Sequence, residues 1–262
     1  MPLSTEAINQ IAQTFLATEA KKAPIEPVMS KYPDITAGDG YKVQQVVINS
    51  LSQQGHKIVG KKAGATSEAA QKALQVSEPL YGVLFDNYQH AYGQPVSTNN
   101  LIRPLLECEV AFKMKQALSG PNVTANDVLA ATESVVAAFE IVDFRTHDFA
   151  PGLGEALSYN VFARGFVVGN EPKSPDQVDL PGFKLTLNKN GEQVAAATGA
   201  AVLGNPVTSM VWLVNKLAEN GLSLEAGEVV ISGAIAAPHP IAAGDTFEAV
   251  FEGLGTISVA FV

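Results

Sequence analysis

Apolar side chains recur at three- and four-residue spacings at the start of the chain. Ile8, Ile11, Ala12, Phe15 and Leu16 form such a stripe, which predicts an amphipathic helix over residues 4–21 with Ser4 or Thr5 as its cap. After a polar, proline-bearing link, Val43, Val46, Val47 and Leu51 predict a second helix over about 39–53, stopped by Gly55. From His56 onward the pattern changes to short strands punctuated by glycine. It predicts a strand at 56–59, a loop from Gly60 to Gly64, a short helix near 67–74 and a strand at 82–85. Leu105 to Met114 alternates with a period of two, the mark of a strand. Thr124 to Ala138 reads as a helix that feeds a strand from Phe139 to Phe144. Asn190 and Gly191 separate two strand-like runs, 183–188 and 193–198, and predict a hairpin because a tight turn needs positive φ. A helix over about 208–219 and strands near 228–235, 246–252 and 256–262 complete the chain. Strands outnumber helices and do not alternate regularly with them, which argues against a doubly wound sheet. The expected fold class is α+β, a β-rich body over residues 56–262 with a helical N-terminal layer over residues 1–55.

Composition adds exclusions. The chain has 262 residues, 47% of them hydrophobic and 16% charged, which is apolar enough to bury a sizeable core. Its formal net charge is -9, so nucleic acid is a poor partner, because neutralising phosphates needs a basic face. An anionic small molecule would need a local cation instead. A single cysteine, Cys108, excludes a disulfide framework and a cysteine zinc cluster. No stretch approaches the roughly 18 apolar residues of a membrane span. The first residues lack the basic and apolar regions of a signal peptide, so the expected location is cytoplasmic.

The most informative stretch is Glu107-Cys108-Glu109. Alternation across a strand puts Glu107 and Glu109 on one face and Leu106, Cys108, Val110 and Phe112 on the other, apolar face. Two like charges about 7 Å apart on one strand repel unless a cation or water screens them. Taken alone, the pair fits an ordinary solvated strand face. Glu140 changes the balance, because it lies in an otherwise apolar strand, where an unpaired carboxylate costs several kcal/mol. Three converging carboxylates without cysteine or histidine partners suit a hard divalent cation, Mg²⁺ or Mn²⁺, better than zinc. Asp143 faces away from Glu140 on an ideal strand and reads as a structural partner of Arg145 or Lys62.

Several segments, spread in order over nearly the whole chain, carry a resemblance. They are Lys57–Ser67 (KIVGKKAGATS), Glu78–Phe85 (EPLYGVLF), Glu107–Glu109, Glu140–Asp143 (EIVD), Gly199–Gly204 (GAAVLG), Ser232-Gly233, Gly244-Asp245 and Gly253–Ser258 (GLGTIS). Together they resemble the 2-keto-4-pentenoate hydratase and 4-oxalocrotonate decarboxylase group of the fumarylacetoacetate hydrolase superfamily. The resemblance implies mixed sheets in a roll or barrel and Mg²⁺ or Mn²⁺ held by Glu107, Glu109 and Glu140. It implies a catalytic lysine at Lys62 rather than Lys61, and a substrate-contacting turn at Ser232-Gly233. It also implies a homo-oligomer, a dimer or larger.

The implied reaction is addition of water to a 2-hydroxy-2,4-dienoate, giving a 4-hydroxy-2-oxo acid. A decarboxylase of the 4-oxalocrotonate type is the alternative within the group, and a non-catalytic binder of 2-oxo acids is the alternative outside it. Departures from the group pattern bear on the choice. Tyr159–Phe162 (YNVF) stands where an Asp-Asn-Ala-Ser stretch is common, so only Asn160 matches. Leu80 replaces an aspartate frequent in hydratases and is closer to the decarboxylases. His239 stands at a usually apolar position and reads either as a proton carrier or as a solvated loop residue.

Overall fold

In the computed structural model, which describes residues 2–21, 23–147 and 152–262, the first apolar stripe forms helix α1 (Thr5–Lys21). The Ser4 hydroxyl accepts the Ala7 amide at 3.2 Å, as an N-cap does, and Ile8, Ile11 and Phe15 are buried. A one-turn helix α2 (Val28–Lys31) lies in the link. Helix α3 (Ala37–Gln53) starts earlier than its apolar pattern because Thr36 and Asp39 form a reciprocal capping box.

Strand β1 (Ile58–Gly64) runs straight through the expected loop. The cause is packing, since a Cβ at Gly60 would collide with the Val229 carbonyl. This glycine admits a neighbouring strand instead of turning the chain. Helix α4 (Glu68–Leu74) is capped by Ser67 and leads to β2 (Leu80–Phe85), the short β3 (Gln89–His90) and β4 (Pro104–Met114). The helix expected over 124–138 is cut short. Only α5 (Ala125–Ala131) is helical, and β5 (Thr132–Asp143) takes the rest. Thr132, Val135 and Val136 are β-branched, and pairing along the whole of β4 outweighs a local helical pattern.

Helix α6 (Gly152–Ser158) and strand β6 (Ala163–Val168) fall where the sequence shows no clear period. The hairpin forms as expected from β7 (Lys184–Lys189) and β8 (Glu192–Thr198), with Asn190 and Gly191 at φ 54° and 84°. Helix α7 (Pro206–Glu219), β9 (Val229–Ile231), β10 (His239–Pro240), β11 (Thr246–Phe251) and β12 (Gly255–Ala260) follow. Of the strand expected at 228–235, β9 keeps only three residues.

The larger sheet runs β2-β1-β9-β4-β5-β6-β3, with β10 added on β4, and the smaller runs β12-β11-β7-β8. The larger sheet is mixed, because β1 with β9 and β3 with β6 pair in parallel. The architecture is therefore α+β. Strand alternation divides the large sheet's side chains between two cores. Cys108, Val110, Phe112 and Val230 pack with Leu187 and Phe247 of the small sheet and Leu213 of α7. Ala111, Ala138 and Ile231 face the other way and pack with Phe15, Val43 and Leu157 of the helices. The first 55 residues thus share a core with the body they cover.

Candidate active site

The carboxylates lie on the helix-covered face of the large sheet. Glu107 and Glu140 are direct cross-strand partners in β4 and β5, and Glu109 sits opposite Ala138. Like charges placed directly opposite on a sheet are destabilising, so this arrangement requires a counter-charge. Lys62 supplies one. It pairs in register with Ile231 of β9, which pairs with Ala111 of β4, so the lysine belongs to the same face. Its Nζ lies 3.0 Å from Glu140 Oε2 and donates to the Val161 carbonyl at 3.2 Å.

One ammonium does not balance three carboxylates. Carboxylate oxygens of Glu107, Glu109 and Glu140 all lie within 4.8 Å of one another. Glu109 Oε1 and Glu140 Oε1 are buried without a hydrogen-bond partner. Buried, unpartnered acceptors beside an excess of negative charge are what a hard cation would satisfy, so these residues fit Mg²⁺ or Mn²⁺.

The electrostatics agree. Burial pushes Glu107 up to about 7, with Lys62 opposing the shift and Glu140 adding to it. Glu109 is raised well above the ordinary carboxylate range by burial and by its two glutamate neighbours. Glu140 is also raised by burial, against the pull of Lys62. For Lys62, burial favours the neutral amine, but Glu140, Glu107 and Glu109 outweigh it and hold the ammonium charged.

The neighbouring Lys61 points the other way. Its Nζ contacts Glu228 Oε1 at 2.6 Å and Oε2 at 2.7 Å, and both side chains are nearly buried. Of the doublet, Lys62 is the one at the carboxylates. Gly233 N–H donates to Glu109 Oε2 at 2.7 Å, and its φ of +107° and the Thr66 side chain against it leave no room for a Cβ. The Ser232 hydroxyl is buried with no partner, while its carbonyl accepts the Ser209 hydroxyl at 2.6 Å. Asp143 accepts the Ile102 and Arg103 amides at 3.0 and 2.7 Å and also feels Arg145, which is a structural role, while Lys62 goes to Glu140.

One part of the site has no sequence signal beyond Asn160 itself. Asn160, Val161 and Phe162 are left-handed in succession, with φ 51°, 50° and 61°. Such a run is strained for Val and Phe. Asn160 holds it by accepting the Val83 amide at 2.8 Å and donating to the Val83 carbonyl at 2.9 Å. The turn so fixed aims the Val161 carbonyl at Lys62. A cavity of about 500 Å³ opens over the cluster, with Lys62, Glu107, Leu105 and Ala234 in its lining. His239 is half-buried beside it in β10, and Leu80 is buried in the helix-side core, paired with Gly64 of the cavity lining.

A mixed sheet carrying three clustered glutamates and a buried lysine beneath a helical layer defines a class. The chain belongs to the fumarylacetoacetate hydrolase family, whose C-terminal model, "Fumarylacetoacetate (FAA) hydrolase C-terminal", matches residues 57–262. Within it, the chain is 38% identical over 239 residues to the 2-hydroxyhexa-2,4-dienoate hydratase of Comamonas testosteroni, covering 90% of both. It is 35% identical to the 2-oxo-hept-4-ene-1,7-dioate hydratase of Escherichia coli, covering 96% of this chain and 97% of that one. Among solved structures, the 4-oxalocrotonate decarboxylase from Pseudomonas putida G7, complexed with magnesium and adipate, superposes with a TM-score of 0.95. That match has 34% identity and covers 99% of each chain.

Proposed function

We propose that this protein is a divalent-metal-dependent lyase that adds water to a 2-hydroxy-2,4-dienoate, as in meta-cleavage catabolism of aromatic compounds. The net change is uptake of one water, leaving a hydroxyl at C4 and a keto group at C2. The observation that carries the reading is the triad of half-buried Glu107 and buried Glu109 and Glu140, with Lys62 as the close counter-charge among the described residues. The hydratases similar to it over nearly the full length support the same reaction.

In this reading Glu107, Glu109 and Glu140 hold Mg²⁺ or Mn²⁺, as a magnesium complex of the similar decarboxylase suggests. Bound there, a divalent ion would supply Lewis-acid stabilisation of the negative charge that develops on the substrate. Lys62 Nζ, kept charged by the glutamates, faces the oxygen that gains charge and holds or moves a proton there. Gly233 N–H fixes one oxygen of Glu109 and leaves the other for the ion. The Ser232 hydroxyl is a buried, unpartnered polar group beside Gly233, and it is assigned here to the substrate end of the site.

A second reading, decarboxylation, uses the same first steps and is favoured by the match to the 4-oxalocrotonate decarboxylase. Turnover of 2-hydroxy-2,4-dienoates with Mg²⁺ tests both. Loss of dienoate absorbance with formation of a 4-hydroxy-2-oxo acid supports the hydratase, and CO₂ release from a 4-oxalocrotonate-type acid supports the decarboxylase. Binding without either reaction overturns both. We further propose that the protein works in the cytoplasm as a homo-oligomer. The exposed edge strand β8, with Val194 38% exposed, is a surface that a monomer would leave open. Light scattering at micromolar concentration giving a mass near the 27.5 kDa monomer removes that part.

A further inference from the structure

The cavity over the carboxylates is chemically lopsided. Lys62 and Glu107 mark its charged end, and the rest of its lining among the described residues carries no ionisable side chain. Helix α4 contributes Ala69, Ala73 and Leu74, and Val142, Phe144 and Phe162 add a further apolar wall. Phe144 and Phe162 are stacked, with ring centroids 4.2 Å apart and planes at 17°, so that wall is stiff. The two polar residues of α4's approach are uncharged. The Ser67 hydroxyl accepts the Ala70 amide at 3.2 Å as the helix cap, and the Thr66 side chain packs against Gly233.

Charge decides what this wall accepts. Lys62 is engaged with Glu140 and the Val161 carbonyl, so no cation in the described lining remains for a second substrate carboxylate. A dioate whose 2-oxo acid end sits at the glutamates would carry its far carboxylate into apolar surroundings, where lost hydration is not offset. An alkyl chain in the same place gains from burial. The cavity volume of about 500 Å³ lies in the range that encloses drug-sized ligands, which is more room than a five-carbon acid fills.

We infer that the site takes a monocarboxylic 2-hydroxy-2,4-dienoate extended at its distal end by uncharged alkyl carbons, and that Ala73, Leu74, Phe144 and Phe162 select it against dioates. This inference rests on the lyase reading above, because that reading fixes which end of the substrate meets the glutamates. It also weighs against decarboxylation, which needs a second carboxylate beyond C4.

Calorimetric titration of the Mg²⁺-loaded protein with saturated 2-oxo acids tests the tail independently of turnover. 2-Oxopentanoate, 2-oxohexanoate and 2-oxooctanoate form the monoacid series, and 2-oxohexanedioate and 2-oxooctanedioate are their length-matched dioates. Affinity is expected to rise about fourfold per added methylene. Each dioate is expected to bind at least about 100-fold more weakly than its monoacid, the order set by a desolvated, unpaired charge. Dioates binding as tightly as monoacids would overturn the tail assignment and leave the lyase reading standing. Failure of every 2-oxo acid to bind, with Mg²⁺ present, would overturn both.

Discussion

Replacing Lys62 with methionine tests whether the lysine is a charge balance as well as a reactive group. The substitution keeps an unbranched, apolar side chain of similar length and removes only the ammonium. Lys62 is 2% exposed and its Nζ lies 3.0 Å from Glu140 Oε2. At an effective dielectric constant of 20, that contact corresponds to about 5.5 kcal/mol of Coulomb attraction. The glutamates do not stay fully ionised once the lysine is gone, because burial already pushes Glu107 up to about 7. The net loss in metal-free protein is therefore expected at about 3–5 kcal/mol, the cost of breaking a buried pair. For a chain of this length that lowers Tm by roughly 6–10 °C.

A divalent cation at the same glutamates replaces the missing charge. With Mg²⁺ at 100 times its Kd the folded state gains about 2.7 kcal/mol, and Lys62→Met should gain more than the parent because its glutamates repel more strongly without metal. The assay is differential scanning calorimetry of both proteins in chelator and in saturating Mg²⁺, alongside dienoate turnover. The expected result is a large deficit in chelator that shrinks by about half or more in Mg²⁺, with kcat lost in both. An equal deficit under the two conditions would refute the reasoning, since it would mean that the lysine matters through packing and not through the carboxylates.

Three further outcomes follow from the geometry. Asn160→Ala removes both bonds to Val83 and releases the left-handed turn, so thermal unfolding should show a loss of about 2–3 kcal/mol together with reduced turnover. An unchanged Tm would mean that something else holds the turn. For Asp245, burial raises the pKa, but the Asn190 amide, Lys189 and the Ala242 amide outweigh it and hold the carboxyl below its ordinary value. Its contribution to stability is thus full above the unfolded-state pKa and lost as pH falls through the folded one. Asp245→Asn should be less stable than the parent at neutral pH, and denaturant titrations should show the gap closing below the ordinary aspartate range. A fragment of residues 56–262 should fail to fold, because Leu80, Val83 and Ile231 share their core with Phe15 and Val43. Cooperative thermal unfolding of that fragment would show that the helical layer is dispensable.

The glutamate cluster was legible because strand periodicity and burial both bear on it. Glu107 and Glu109 alternate with apolar neighbours, and Glu140 stands in an apolar run, so one rule of side-chain direction brings all three to one face. The flanking elements were less legible where tertiary pairing overrode local pattern. Residues 132–138 carry a helix-like spacing yet pair along β4, and Gly60 looks like a loop residue while serving a close strand approach. The left-handed turn at 160–162 left no trace, because Val and Phe rarely adopt that conformation and nothing in their identities announces it. Lys61 was invisible for another reason. A lysine in a doublet is ordinarily solvated, and its burial depends on Glu228, 167 residues further along the chain.

That long-range pair gives the doublet a meaning for how the chain finds its structure. β1 lies parallel to β9, with Lys61 opposite Val230 and Lys62 opposite Ile231, a late pairing of the kind in which strands align slowly. Adjacent residues point to opposite faces, so a slip of one position exchanges the two lysines. Lys62 would then leave the three clustered glutamates without its charge, and Lys61 would leave Glu228 with the Glu225 amide but no ammonium. Misalignment is penalised on both faces at once, which makes the two lysines a two-sided key. The chemistry of the pocket and the alignment of the sheet are in this way written into the same dipeptide, and a variant that damages one is expected to blur the other.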